Sequence, residues 1–146
     1  MTTDTGETDS GTGRCLCGAV QYRYQGGPAS VGLCQCRRCQ RQSGSAFLIG
    51  VVFPAEAVTI TGELAVYEAA VHGEAKLRRH FCRNCGSAVM ITLDRFPHIR
   101  SMMGGTIDDP KIVAPSFSIW CSEGQSWLEL PQGITCFPDY PDGTFA

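Results

Sequence analysis

Several common signals are missing from this 146-residue sequence. Charged residues make up only 18% of it and the net charge is -2, so no broad basic field points to nucleic acid or to an anionic membrane. No apolar run approaches the ~20 residues of a membrane span, and residues 1–13 are polar and acidic, without an apolar leader region. We also find no phosphate-binding loop and no Ser-His-Asp signature. These absences predict a cytoplasmic protein with neither a nucleic-acid nor a membrane partner.

Long amphipathic helices are missing as well, because 17 glycines and 8 prolines interrupt the chain too often. A single turn of helix after Cys39 is the most that we expect. Gly62-Glu63 predicts a tight hairpin between two of the short strands. The predicted strands cover residues 19–24, 46–53, 58–61, 64–69, 76–81, 88–93 and 116–120. The pattern predicts one mainly β domain over residues 13–146, after a disordered tail over residues 1–12.

Cysteine, in contrast, is abundant: the chain has nine. In a reducing compartment, clustered cysteines are more often metal ligands or redox groups than disulfides. Seven of them fall into three clusters at strand ends, namely Cys15 with Cys17, Cys34 with Cys36 and Cys39, and Cys82 with Cys85. The last pair has the C-x-x-C spacing of a zinc knuckle, with Gly86 permitting the tight turn. The other two, Cys121 and Cys136, lie among apolar residues and are predicted to be buried and inert.

The number of ligands in each cluster predicts two kinds of metal site. Structural zinc is held by four protein ligands, so the two pairs together form one closed site, whereas the cluster of three leaves one coordination position open for chemistry. Two alternatives remain. In the first, Cys34 and Cys36 would bind one metal together with Cys82 and Cys85, and Cys15 and Cys17 would join Cys39 at the other. The cluster of three could also be a redox thiol, or a second structural zinc site closed by Cys121 or Cys136.

The order and spacing of these motifs resemble the glutathione-dependent formaldehyde-activating enzyme family, also called the centromere protein V family. The resemblance covers roughly residues 13 to 120 and rests on four segments: 13–20 (GRCLCGAV), 34–44 (CQCRRCQRQSG), 81–86 (FCRNCG) and 105–110 (GTIDDP). It implies an Mss4-like β-tent of short antiparallel strands with a zinc knuckle. It also implies two Zn²⁺ per chain, a structural one on Cys15, Cys17, Cys82 and Cys85 and a catalytic one on Cys34, Cys36 and Cys39.

The ligand set of the open site favours one kind of reaction. Three thiolates on Zn²⁺ carry a net charge of about -1, so such a zinc binds and ionises a further thiol better than it polarises a carbonyl. The resemblance implies a carbon–sulfur lyase with glutathione as the thiol and formaldehyde as the small aldehyde. Arg37, Arg38 and Arg41 are candidates for binding the carboxylates of a peptide-like thiol.

Two other functions compete with the lyase. One is a non-enzymatic, zinc-stabilised binding module on the same fold, which would have no exchangeable ligand at the middle metal. The other is a redox enzyme of the methionine sulfoxide reductase type, which would need Cys121 or Cys136 as its reactive thiol. The three histidines, His72, His80 and His98, are expected to be surface or hydrogen-bonded residues and not metal ligands.

Overall fold

The structure is a computed structural model and describes residues 9–71 and 75–141. Residues 1–8 of the predicted tail, and His72, lie outside this description. Within it the chain forms one short helix, α1 (Arg37–Ser43), and eleven strands. The strands are β1 (Ser10–Arg14), β2 (Gln21–Gln25), β3 (Ser30–Cys34), β4 (Leu48–Pro54), β5 (Val58–Thr61), β6 (Leu64–Val71), β7 (Ala75–Cys82), β8 (Ala88–Leu93), β9 (Ile99–Met103), β10 (Phe117–Ile119) and β11 (Thr135–Cys136).

The strands form two sheets. The small sheet has the order β1-β2-β5, and the large sheet has the order β11-β10-β3-β4-β9-β8-β7-β6. Pairing is antiparallel throughout except at one edge of the large sheet, where β10 runs parallel to both β3 and β11. The prediction of a mainly β fold built from short antiparallel strands is therefore confirmed.

An apolar core joins the two sheets. In β2, Tyr22 and Tyr24 are buried while the residues between them are exposed, as the alternating pattern predicts. The ring of Tyr24 stacks on that of Phe53 from the large sheet, with ring centroids 4.6 Å apart. Cys15 and Cys82 belong to the same core cluster, at 2% and 1% exposure. One of the cysteine groups is thus part of the core itself.

Three local predictions were wrong. Residues 10–12, expected in the disordered tail, belong to β1, which pairs with β2. Gly62-Glu63 does not close a hairpin, because β5 pairs with β2 and β6 pairs with β7. Gly62 is needed there because the chain passes close to another segment: its φ is +100°, and a Cβ would lie 2.2 Å from the carbonyl oxygen of Ala19. The helix also begins before Cys39, at Arg37.

The prediction for Cys121 and Cys136 was also wrong, because the two cysteines form a disulfide across 15 residues. Cys136 is exposed and Cys121 half-buried, so apolar neighbours in sequence did not indicate burial. Just beyond the disulfide, residues 137–139 follow residues 120–122, where the amide of Cys121 donates to Phe137 O at 3.0 Å. The disulfide therefore holds the C-terminal segment against the end of β10.

Removing this disulfide should weaken the fold without abolishing it. Cross-linking a loop of 15 residues contributes about 3 kcal/mol by restricting the unfolded chain. The double variant Cys121→Ser/Cys136→Ser should lose about this much free energy of unfolding in urea, and reduced wild-type protein should lose the same amount. Under denaturing and chelating conditions, thiol titration should find seven free cysteines before reduction and nine after it. Nine before reduction would contradict the pairing.

None of the helices among the described residues is long and apolar enough to cross a membrane.

Candidate metal centres and the adjoining cavity

Cys15, Cys17, Cys82 and Cys85, the four-cysteine cluster, come together from two distant parts of the chain. Their Sγ atoms all lie within 4.8 Å of one another. The Cys15–Cys17 and Cys17–Cys82 Sγ separations are 3.6 and 3.8 Å. Four sulfurs at about 2.3 Å from a tetrahedral metal ion would be about 3.8 Å apart. The cluster could therefore hold a metal ion.

The backbone around this cluster directs N–H groups at the sulfurs. The amide of Val20 donates to Cys15 Sγ at 3.3 Å, and the amide of Asn84 donates to Cys82 Sγ at 3.4 Å. Hydrogen bonding from Ser87 lowers the pKa of Cys85 to about 5. Such donors stabilise thiolates, which are the form that binds metal. The donor set thus suits a closed four-thiolate site.

Cys34, Cys36 and Cys39, the three-cysteine cluster, depend on the junction between β3 and α1. Cys34 ends β3. Cys36 caps the helix, its Sγ accepting the amide of Cys39 at 3.4 Å, and Cys39 lies in the first turn. All three Sγ atoms lie within 4.8 Å of one another, so this cluster could also hold a metal ion. Among the described residues, the group contains no fourth cysteine, histidine or carboxylate.

The three thiols are electrostatically coupled. Hydrogen bonds from the side chains of Cys34 and Cys39 lower the pKa of Cys36 to about 2, while contacts with Cys36 and Cys39 raise the pKa of Cys34. Negative charge is thus stabilised at the residue that also caps the helix. A metal ion bound by all three residues would replace the protons that they share.

The three-cysteine cluster opens into a cavity of about 460 Å³. Its floor is one face of the large sheet, where β4 contributes Leu48, Gly50 and Val52. Small-molecule sites commonly have volumes of about 300–1,000 Å³. The four-cysteine cluster does not line this cavity. Of the two candidate metal sites, the three-cysteine cluster is therefore the one that adjoins this cavity.

A buried arginine lies beside the three-cysteine cluster. Arg79 in β7 is only 8% exposed, donates to Gln42 Oε1, and places Nη2 3.8 Å from Cys39 Sγ. None of the ion pairs found in the described part of the chain involves it. A buried guanidinium needs a compensating negative charge, and the thiolates can supply it. Sequence reasoning missed Arg79, because β7 shows no simple alternation that would separate it from the neighbouring Arg78.

The three arginines proposed from the sequence are exposed, and all of them line the cavity: Arg37, Arg38 and Arg41. The amide of Arg37 donates to Glu123 Oε2 at 2.8 Å, which holds that carboxylate at the cavity edge. The side chain of Tyr140, which the sequence did not point to, also lines the cavity. Burial and the nearby Cys34 raise the pKa of Tyr140 to about 12, although Arg95 opposes the shift. Its hydroxyl therefore stays protonated at neutral pH.

Two of the histidines, His80 and His98, and the segment 105–110 do not line the cavity. His80 Nε2 is 2.9 Å from Thr92 Oγ1, and His98 is exposed. The segment 105–110 packs on the small sheet, where Thr106 Oγ1 lies 2.7 Å from the hydroxyl of Tyr22. Neither histidine belongs to a cysteine cluster. The segment thus supports the fold and does not contribute to the cavity.

Known proteins with similar sequences indicate the family of this chain. Residues 10–123 match the family model described as glutathione-dependent formaldehyde-activating enzyme. The chain belongs to this family. A Halomonas elongata protein that carries the family's name is 27% identical over 142 residues, covering 92% of this chain and 90% of its own. A Penicillium rubens protein of the same name is 32% identical over 88 residues, covering 59% of this chain and 46% of its own.

A solved structure supports the fold independently. A Rhodobacter sphaeroides protein of known crystal structure superposes with a TM-score of 0.55 at 20% identity, covering 68% of this chain and 92% of the other. At this identity the similarity shows the fold alone. The family match covers residues 10–123, which include all seven cysteines of the two clusters.

The structure also decides between the groupings that the sequence left open. Cys34 and Cys36 group with Cys39, not with Cys82 and Cys85. Cys121 and Cys136 are bonded to each other and line none of the cavities described. They can therefore neither close a second metal site nor present a reactive thiol in the cavity.

Proposed function

We propose that the protein is a zinc-dependent carbon–sulfur lyase that joins a thiol, such as glutathione, to a small aldehyde and catalyses the reverse cleavage. One observation carries the proposal: a cluster of only three cysteines adjoins a cavity that could hold a substrate, whereas the four-cysteine cluster does not line that cavity. Three protein ligands are typical of catalytic zinc, and four are typical of structural zinc. Family membership supports the thiol and the aldehyde as substrates.

The donor sets fit zinc at both clusters. Cys15, Cys17, Cys82 and Cys85 would hold a structural ion, and Cys34, Cys36 and Cys39 would hold a catalytic one. Zinc bound by these last three cysteines would stabilise a fourth thiolate, that of the substrate, at neutral pH. Two Zn²⁺ per chain are therefore expected.

The protein's own side chains would place and balance the charges of the reaction. Arg79, next to Cys39, would offset the negative charge that accumulates when a further thiolate joins three others. The exposed cavity arginines, foremost Arg38 and Arg41, would bind the carboxylates of a peptide-like thiol. These two groups of cations would hold the sulfur at the cluster and the acidic ends at the cavity rim.

The reaction needs no redox partner. The thiol sulfur forms a bond with the carbonyl carbon, and the C=O π electrons move to oxygen. That oxygen gains the proton released by the thiol. The product, a hydroxyalkyl thioether, therefore contains all the atoms of the thiol and the aldehyde. Tyr140, protonated and lining the cavity, would donate a hydrogen bond to the oxygen as its negative charge develops. Cleavage follows the same steps in reverse.

Exchange spectroscopy would test this function. In a mixture of glutathione and ¹³C-formaldehyde, two-dimensional exchange NMR measures how fast the free thiol and its hydroxymethyl adduct interconvert. The zinc-loaded protein should raise that rate at least about tenfold above the uncatalysed rate. An unchanged rate at high protein concentration would contradict the lyase.

A charge variant should separate the role of Arg79 from folding. Arg79→Gln removes the positive charge beside Cys39 and should lose most of the rate increase, whereas Arg79→Lys should keep a measurable part of it. Because a thiol is harder to ionise without that charge, the remaining activity of Arg79→Gln should need a higher pH. Equal activities and equal pH profiles in both variants would contradict the role, and thermal melting of each would control for folding.

A further inference from the structure

The cavity is longer than the proposed reaction with formaldehyde requires. Along its floor, β4 runs from Leu48, paired with Cys34, to Pro54, paired with Ile99 of β9. The six residue-to-residue steps between Leu48 and Pro54 span about 20 Å of extended strand. Ile99 lines the same cavity as the three-cysteine cluster. A hydroxymethyl group, with one carbon and one oxygen beyond the sulfur, would occupy only the end near the cysteines.

Part of the cavity wall is apolar, and it extends to Ile99, at the end of β4 farther from Cys34. It consists of side chains from β7, β8, β9, β10 and the β8–β9 connection: Leu77, Leu93, Phe96, Ile99 and Phe117. Leu77 and Leu93 are cross-strand partners, and Gly32 lets the ring of Phe117 lie close to the sheet, since a Cβ there would be 2.4 Å from Phe117 Cζ. The main hydroxyl on this part of the floor belongs to Ser101, whose Oγ lies over Gly50. We call this surface the apolar wall.

The positive charge that lines the cavity is concentrated around the cysteines. Arg37, Arg38 and Arg41 lie on α1, which carries Cys39, and Arg79 reaches the same cysteine. The carboxylate that lines the cavity, on Glu123, accepts a hydrogen bond from the amide of Arg37. A ligand that spans the cavity would therefore meet cations near the cysteines and hydrocarbon farther away.

This asymmetry limits how a peptide-like thiol can lie. Peptide groups on the apolar wall would lose hydrogen bonds to water and find few partners there, which costs more than leaving them at the rim. The acidic peptide part thus belongs beside the arginines, with its sulfur at the cysteines. What extends onto the apolar wall must be the other substituent of the sulfur.

Building on the function proposed above, we propose that the preferred substrates are sulfur conjugates of an acidic, glutathione-like thiol with an aliphatic or aromatic aldehyde larger than formaldehyde. The thiol sulfur adds to the carbonyl carbon, the oxygen takes the thiol proton, and the aldehyde's hydrocarbon chain packs on the apolar wall. The reverse reaction releases the apolar aldehyde and the free thiol.

Binding of unreactive thioethers tests this preference without turnover. Calorimetry with zinc-loaded protein would compare S-hexylglutathione with S-methylglutathione, which share the peptide and differ by five methylene groups. Each fully buried methylene increases affinity about fourfold. Even with partial burial, the hexyl compound should bind at least about tenfold more tightly. Equal affinities, or no binding of either compound, would overturn the proposal.

A variant that fills the cavity should remove the difference. Ser101→Leu places a larger side chain on the floor beside Gly50 and should weaken S-hexylglutathione at least about fivefold while leaving S-methylglutathione within about twofold. The matched control is Ser126→Leu, the same change at an exposed serine that lines none of the cavities described, which should bind both compounds as wild type does. Equal weakening of both compounds by Ser101→Leu would count against the apolar wall as the site of the alkyl chain.

The thioether binding experiment and the aldehyde exchange experiment test the two proposals separately. If the two thioethers bind equally while glutathione–formaldehyde exchange is accelerated, the lyase stands and the preference for apolar aldehydes is overturned. If S-hexylglutathione binds tightly while no aldehyde exchange is accelerated, the apolar site stands and the lyase fails.

Discussion

Replacing Cys82 by serine is expected to leave the protein unfolded. Cys82 is 1% exposed and belongs to the main core, so its loss affects both the proposed structural zinc and the packing around it. Structural zinc contributes ~10–16 kcal/mol of apparent binding free energy, whereas domains are stable by only about 5–15 kcal/mol. The Cys82→Ser protein should therefore lose the circular dichroism signal of the folded chain, its soluble yield and its bound zinc together.

The same substitution at Cys36 is the matched control for this prediction. Cys36→Ser also removes one thiolate, but from the cluster that lines the cavity and outside the main core. Cys82→Ser protein that is soluble, melts cooperatively and is obtained at normal yield would contradict a structural role for the four-cysteine cluster.

Cys36→Ser should lose about one zinc per chain and the proposed activity while keeping the fold. Cys34 and Cys36 pack against a smaller group of buried residues that contains Cys39, Leu48, Ile91 and Met103, and we expect this group to cover that face of the large sheet without the metal. We expect a melting temperature within several degrees of wild type, one zinc per chain by elemental analysis, and loss of the accelerated aldehyde exchange.

A different result would change the assignment. If Cys36→Ser unfolds as Cys82→Ser is expected to, the three-cysteine cluster is structural and the lyase loses its main support. If two zinc ions remain, Cys36 is not a ligand.

Local patterns explain why the cysteine groups could be predicted. C-x-C and C-x-x-C spacings bring their own ligands together through two or three residues of backbone, and the knuckle at Cys82 and Cys85 depends only on one turn. The alternation of Tyr22 and Tyr24 likewise needs no knowledge of partners. The grouping within each segment could be predicted because its geometry is decided within a few residues, whereas the meeting of Cys15 and Cys17 with Cys82 and Cys85 joins distant parts of the chain.

Other features depended on contacts between distant segments. The disulfide joins Cys121 to Cys136 only because β11 lies beside β10, and no short pattern specifies that pairing. Gly62 was interpreted as a hairpin residue, but its role is set by Ala19, 43 positions earlier in the chain. The position of Arg79 beside Cys39 requires the order of the large sheet and the placement of α1. All three features depend on tertiary contacts, which cannot be predicted from the periodicity of a single strand.

The most direct measurement of the central claim is the cobalt spectrum of the protein during titration with thiols. Cobalt(II) in place of zinc shows thiolate-to-metal charge-transfer bands, which change when a further sulfur joins the coordination sphere. If the three-cysteine site is open, glutathione should change the spectrum of one cobalt per chain with release of about one proton, and Cys36→Ser protein should not respond. A spectrum indifferent to every thiol tested, with both metals bound by four protein ligands, would contradict the claim and favour a zinc-stabilised binding module.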